Sequence, residues 1–183
     1  MLCMTCDCPE KDAKALGPEL FDADMTSLVD LANWNMHRFP WRPWQSNFRV
    51  YCLMICDDLA VPGRRVVIEG NNVESAYLGG SICSERAAIS SPTFRSLKEP
   101  LIRKVVISTD SKECIAPGCL CREFMSSFSN AETEIIMTNA DKTRIVSCFL
   151  TDLYSYPFAY GRLKRNHIEP FAQTLAQKVS MSG

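Results

Sequence analysis

The sequence predicts an α/β domain built on a mixed, five-stranded sheet with helices covering both faces. Three observations predict it. Five short apolar runs, at residues 48–55, 65–69, 101–108, 134–138 and 144–149, have the alternation or continuous apolar character of strands. The first two are joined through Pro62-Gly63, as in an antiparallel hairpin, whereas the later ones alternate with segments of helical spacing. A chain of 183 residues with 46% hydrophobic content and a formal net charge of -1 has enough apolar surface for one ample core.

The elements follow in order. Residues 1–20 form a polar leader, and residues 21–183 are expected to form a single domain. Asp24 is placed to cap a helix whose apolar positions Met25, Leu28, Val29, Ala32 and Met36 recur at helical spacing. Pro40-Trp41-Arg42-Pro43-Trp44 must end it, because a proline disfavours helical geometry in the residue before it. The tryptophans either anchor the turn or line an interface. A helix is expected over residues 83–90, then a linker containing Pro92 and Pro100. The Pro117 turn opens another helix reaching about residue 128. Asn139-Ala140-Asp141 is a turn, and the stretch from Ile168 has helical character.

Composition excludes several classes of function. With 20 Lys plus Arg against 21 Asp plus Glu, the chain lacks the global positive field that binding a polynucleotide backbone requires. Its apolar runs are too short to span a bilayer, and its first residues lack the basic and apolar regions of a signal peptide. The expectation is a cytoplasmic protein. Its 10 cysteines therefore divide between metal ligands and small core residues, with Cys52, Cys56 and Cys148 in apolar, strand-like surroundings. Cys3, Cys6 and Cys8 have a spacing that suits either a metal or an oxidation-prone tail.

Chemistry concentrates in two motifs, Cys83-Ser84-Glu85-Arg86 and Pro117-Gly118-Cys119-Leu120-Cys121-Arg122-Glu123. Together they have the form of a divided zinc-hydrolase signature. Upstream stand Ser46-Asn47-Phe48-Arg49-Val50 and Gly70-Asn71-Asn72-Val73-Glu74-Ser75-Ala76-Tyr77, and Ile82 to Ile89 encloses the first motif. In this order the blocks resemble the free-nucleoside cytidine deaminases, over residues 48 to about 161. The resemblance implies a three-layer α/β/α sandwich of cytidine deaminase-like fold. It further implies a Zn2+ cofactor, a homotetramer (or homodimer) and a small nucleoside substrate, with neither polynucleotide nor membrane as partner.

The residue types match that chemistry. Adding water to C4 of a cytosine ring needs a stronger nucleophile than neutral water, and a zinc ion with three protein ligands and one open position supplies it. Cys83, Cys119 and Cys121 are the candidate ligands, since the two histidines, His37 and His167, stand outside any motif. Glu85 is then a proton shuttle and not a ligand. Arg86 and Arg122 each place a cation near a thiol, which favours thiolate. The resemblance also implies that Asn72 and Glu74 hold the sugar, that Phe48 packs on the nucleoside and that the Ala76 backbone contacts the base. Phe158 would reach a neighbour's site or serve as core or lid in its own subunit.

The sequence departs from the family in three places. Tyr51-Cys52 replaces a small Gly-Ala pair, which would narrow or reshape the pocket. Ser75 replaces an asparagine. Pro117-Gly118-Cys119-Leu120-Cys121 replaces Pro-Cys-x-x-Cys, so the first thiol has moved one place. A Gly118 at positive φ would let Cys119 sit before the first helical turn and aim its sulfur at Cys121 and Cys83. The expected activity is hydrolysis of cytidine or deoxycytidine to the uracil nucleoside and ammonia, in pyrimidine salvage. The alternatives are a deaminase of a related nucleoside such as blasticidin S, and a non-catalytic nucleoside-binding relative with a degenerate zinc site.

Overall fold

The computed structural model describes residues 18–38 and 42–155. Five strands form one sheet in the order β2-β1-β3-β4-β5: β1 (Val50–Asp58), β2 (Arg65–Asn71), β3 (Pro100–Thr109), β4 (Ser129–Thr138) and β5 (Ile145–Phe149). β1 and β2 form the expected hairpin, Cys52 facing Gly70, and β3 pairs parallel with β4 while the remaining pairs are antiparallel. The sheet is therefore mixed.

Side-chain alternation divides the core between the two faces. On one face Tyr51, Leu53, Ile55, Val106 and Ile136 pack beneath α1 (Met25–Arg38), through Leu28, Val29, Ala32 and Met36. On the other, Cys52, Met54, Cys56, Val105, Ile107, Ile135 and Met137 lie beneath α2 (Ser84–Ile89), α3 (Pro92–Arg95) and α4 (Cys119–Ser126). A one-turn helix, α5 (Leu150–Leu153), follows β5. The result is a three-layer α/β/α sandwich, as expected. Among the described residues no helix is long and apolar enough to cross a membrane.

Local chemistry explains the element boundaries. Asp24 caps α1 by accepting from Ser27 N at 3.0 Å and Ser27 Oγ at 2.8 Å. The expected linker after α2 contains α3, because Pro92 stands in its first turn, where no amide is missed, and Ser91 Oγ caps it by accepting from Phe94 N at 3.2 Å. Cys52 and Cys56 are buried free thiols, and burial pushes both pKa values up. Tyr51 does not reshape the pocket. It points beneath α1, where its hydroxyl donates to Glu69 Oε2 at 2.5 Å and accepts from Asn35 Nδ2 at 2.9 Å.

Asp58 ends β1 and ties it to the entry of β3. Its buried carboxylate accepts from Glu99 N at 3.0 Å, Lys98 N at 3.2 Å and Ala60 N at 3.3 Å, and pairs with Arg64 at 3.2 Å. The Glu99 amide first, with the Lys98 and Ala60 amides and the Arg64 charge adding to it, holds this carboxyl below its ordinary value of 3.8. A carboxyl depressed on folding gives stability that is present above its unfolded pKa and lost as pH falls through its folded one. Asp58→Asn should therefore lower the Tm at neutral pH, by an amount that shrinks in acid below 3.8. A Tm gap that stays constant over that titration would contradict the assignment.

Candidate active site

Two helix starts meet at one end of the sheet, where β2 ends and β1 begins. Cys83 is the N-cap of α2, with φ -69° and ψ 154°, and Glu85 is the second helical residue. Cys121 is the third residue of α4, whose N-cap is Gly118. Seating α2 this closely requires Gly70 on β2: a Cβ there would lie 2.3 Å from Ser84 O and 2.6 Å from Ala88 N. The packing brings Cys83 Sγ, a Glu85 carboxylate oxygen and Cys121 Sγ within 4.8 Å of one another.

The two thiols are coupled. The hydrogen bond with Cys121 lowers the Cys83 pKa from its ordinary value, and Arg86, with Nη2 3.7 Å from Cys83 Sγ, acts in the same direction. The same bond, together with burial, pushes Cys121 up. Arg86 also donates to Ser81 O at 3.0 Å, fixing the turn before α2. Arg122 does not stand by its thiol. It donates from Nε to Pro117 O at 2.6 Å and from Nη1 to Leu153 O at 3.0 Å, tying the α4 turn to α5.

A cavity of about 330 Å3 opens on this cluster. Its lining joins Cys83, Ser84, Glu85 and Gly118 to Phe48, Val50, Asn72 and Glu74, and Ile82, Ile107, Ile115 and Ala116 add apolar wall. Glu85 is 3% exposed and accepts from Ser84 Oγ at 3.1 Å. The Asn72 amide brackets the start of β1, accepting from Val50 N and donating to Phe48 O, both at 2.8 Å, which fixes Phe48 against the cavity. Glu74 accepts from Ser46 Oγ at 2.5 Å and Ser46 N at 3.0 Å. The Ser46 hydroxyl, then its amide, lowers the Glu74 pKa.

Of the residues singled out in the sequence, Phe48, Asn72, Glu74, Cys83 and Glu85 border one cavity, and Cys121 joins the cluster. Two do not join them. Ala76 is exposed and lies outside the lining, its carbonyl occupied by Gln45 Nε2. Cys119 is the first residue of α4, exposed and outside the thiol cluster. The physical reason is helical geometry: Gly118 has φ -64° and not a positive φ, so Cys119 belongs to the first turn, and two residues along a helix point to nearly opposite sides. Phe158, His167 and the Cys3/Cys6/Cys8 cluster lie outside the described residues. Sequence reasoning missed Ser81, whose hydroxyl is buried at the cavity and has no hydrogen-bond partner among the described residues. It also missed Ile107, Ile115 and Ala116, which reach the site only through tertiary folding.

Two thiol sulfurs and a carboxylate are donors that suit a divalent ion of intermediate softness such as zinc. The fold and cluster define a class, a three-layer sandwich with a candidate metal site at the starts of two helices. Among solved structures, the chain is similar to the cytidine deaminase from Burkholderia pseudomallei, at 24% identity and TM-score 0.62, over 74% of this chain and 100% of that one. It is also similar to the cytidine deaminases from Mycobacterium tuberculosis (22%, 0.57, 76% and 100%) and Mycobacterium leprae (21%, 0.55, 74% and 100%). No protein-family model matches the chain. The likeness establishes the fold, which is cytidine deaminase-like.

Proposed function

We propose that this protein is a zinc-dependent hydrolase that deaminates cytidine or deoxycytidine to the uracil nucleoside and ammonia. The observation that carries the reading is the shared cavity, whose lining includes Cys83 and Glu85 of the thiol-carboxylate cluster together with Phe48, Asn72 and Glu74. Cys83 and Cys121 hold the zinc, which when bound supplies the Lewis acidity that makes water a competent nucleophile near neutral pH. Phe48 packs on the nucleoside. Asn72 and Glu74 keep a spare hydrogen-bonding capacity beyond their present partners and take the sugar hydroxyls.

Glu85 moves the protons. It accepts one from the water whose oxygen bonds to C4 and delivers it to N3 of the ring. It then carries the hydroxyl proton of the C4 adduct to the amino group, which leaves as ammonia while the C4 carbonyl forms. Burial excludes bulk water from this exchange. On this reading the protein acts in cytoplasmic pyrimidine salvage as a homotetramer or homodimer.

The test is uridine formation by the purified full chain with zinc, its loss to a chelator and its recovery on adding zinc back. Metal-loaded protein that converts neither cytidine nor deoxycytidine would overturn the proposal. Turnover of blasticidin S alone would identify the antibiotic deaminase, and cytidine binding without zinc the non-catalytic relative. Glu74→Gln should raise the KM for cytidine by at least about tenfold, the cost of losing a charged hydrogen-bond partner. It should also relax rejection of the 5'-monophosphate, which the carboxylate repels. An unchanged KM together with unchanged rejection would remove Glu74 from the sugar site.

A further inference from the structure

Cys83 and Cys121 leave a zinc ion one protein donor short of the three that a catalytic site takes. Helix α4 shows where the missing one would stand. Gly118 is its N-cap and Cys121 its third residue, the two positions whose side chains reach one another across a first turn. A Cβ built on Gly118 meets nothing within 4 Å, its φ of -64° suits any residue, and it borders the cavity with Cys83 and Glu85. The seat beside Cys121 is open space, one residue before a cysteine that faces outward. Glu85 is the remaining donor in reach. It is buried, and among the described residues its hydrogen-bond partner is the Ser84 hydroxyl. A buried carboxylate so thinly partnered gains from a cation.

Resting on the zinc reading above, we infer that this chain holds its ion through Cys83, Cys121 and the Glu85 carboxylate, and that position 118 is the vacant seat of a third thiolate. Metal retention and proton transfer then compete for one carboxylate. A thiol at position 118 releases Glu85 from the metal.

Zn2+ affinity of the full chain, measured by competition with a chromophoric chelator, tests this. Gly118→Cys should bind Zn2+ at least about tenfold tighter, a gain no smaller than even an outer-shell partner contributes. Its Co2+ form should show sulfur-to-metal absorption rising in proportion from two thiolates to three. Glu85→Gln should weaken Zn2+ binding at least about tenfold in the native background, but by less than about twofold beside Gly118→Cys. Gly118→Ala adds the Cβ without the donor and should bind like the native chain. Unchanged affinity in a folded Gly118→Cys protein, an equal gain in Gly118→Ala, or equal losses from Glu85→Gln in both backgrounds would overturn the inference. Should Gly118→Cys not fold, native affinity in the Glu85→Gln chain alone would do so. None of these readouts needs turnover, so a chain that binds ions as stated yet never converts cytidine refutes the deaminase reading and leaves the ligand set standing.

Discussion

Glu85→Gln is expected to cut deamination of cytidine by about 10² to 10⁴ at saturating zinc, the range that a positioned general acid-base group contributes. The amide keeps the size of the side chain and can still accept from Ser84 Oγ, 3.1 Å from the native carboxylate. What it loses is a site for a mobile proton. Because the same carboxylate is also the metal donor inferred for the native chain, turnover has to be compared at matched zinc occupancy, and most cleanly in the Gly118→Cys background, where zinc is expected to be retained. Uridine formation is then read against bound metal. Near-parental turnover per bound zinc would sink the proton-carrier role, whereas a loss that disappears once occupancy is matched would reduce Glu85 to a ligand.

Much of the architecture was legible because each strand carries its own parity. Tyr51, Leu53 and Ile55 go to one face and Cys52, Met54 and Cys56 to the other, so a run buried on both sides reads as a central strand. The end of β1 was not legible. Asp57 and Asp58 look like a loop, yet Asp57 pairs with Arg65 at 2.6 Å and Arg103 at 2.7 Å on flanking strands, and Asp58 collects backbone amides. Likewise Ser129 to Thr133 is too polar to read as strand. It is held in β4 by tertiary bonds such as Thr133 Oγ1 to Ile102 O at 2.7 Å.

The site divides the same way. That Cys83, Glu85, Phe48, Asn72 and Glu74 border one cavity was anticipated because each sits in a compact local block. Cys119 misled because its role turned on where α4 begins, and a shift of one residue at a helix start rotates a side chain about 100° around the axis. Composition does not encode that shift. The parity that sends Tyr51 away from the cavity was present in the sequence, but using it required knowing which face the cavity occupies.

Gly70→Ala should damage both fold and site, because Gly70 sits where β2 and α2 touch. Its missing Cβ would fall 2.3 Å from Ser84 O, 2.6 Å from Ala88 N and 3.1 Å from Ala88 Cα, all backbone atoms that no rotamer change can move. Overpacking of this kind costs about 1–3 kcal/mol, and relief requires lifting α2 from the sheet. That helix bears Glu85 and is capped by Cys83, so zinc affinity and cytidine turnover should fall with stability. Gly63→Ala is the control. At φ +79° with nothing within 4 Å, Gly63 needs its left-handed backbone in the hairpin turn but touches no part of the site. Its replacement should cost about 1–2 kcal/mol of stability and leave the KM for cytidine unchanged. Denaturation midpoints and Zn2+ affinities of the two variants separate the cases: a Gly70→Ala protein with parental stability and parental metal affinity would show that α2 does not rest on β2 through this contact.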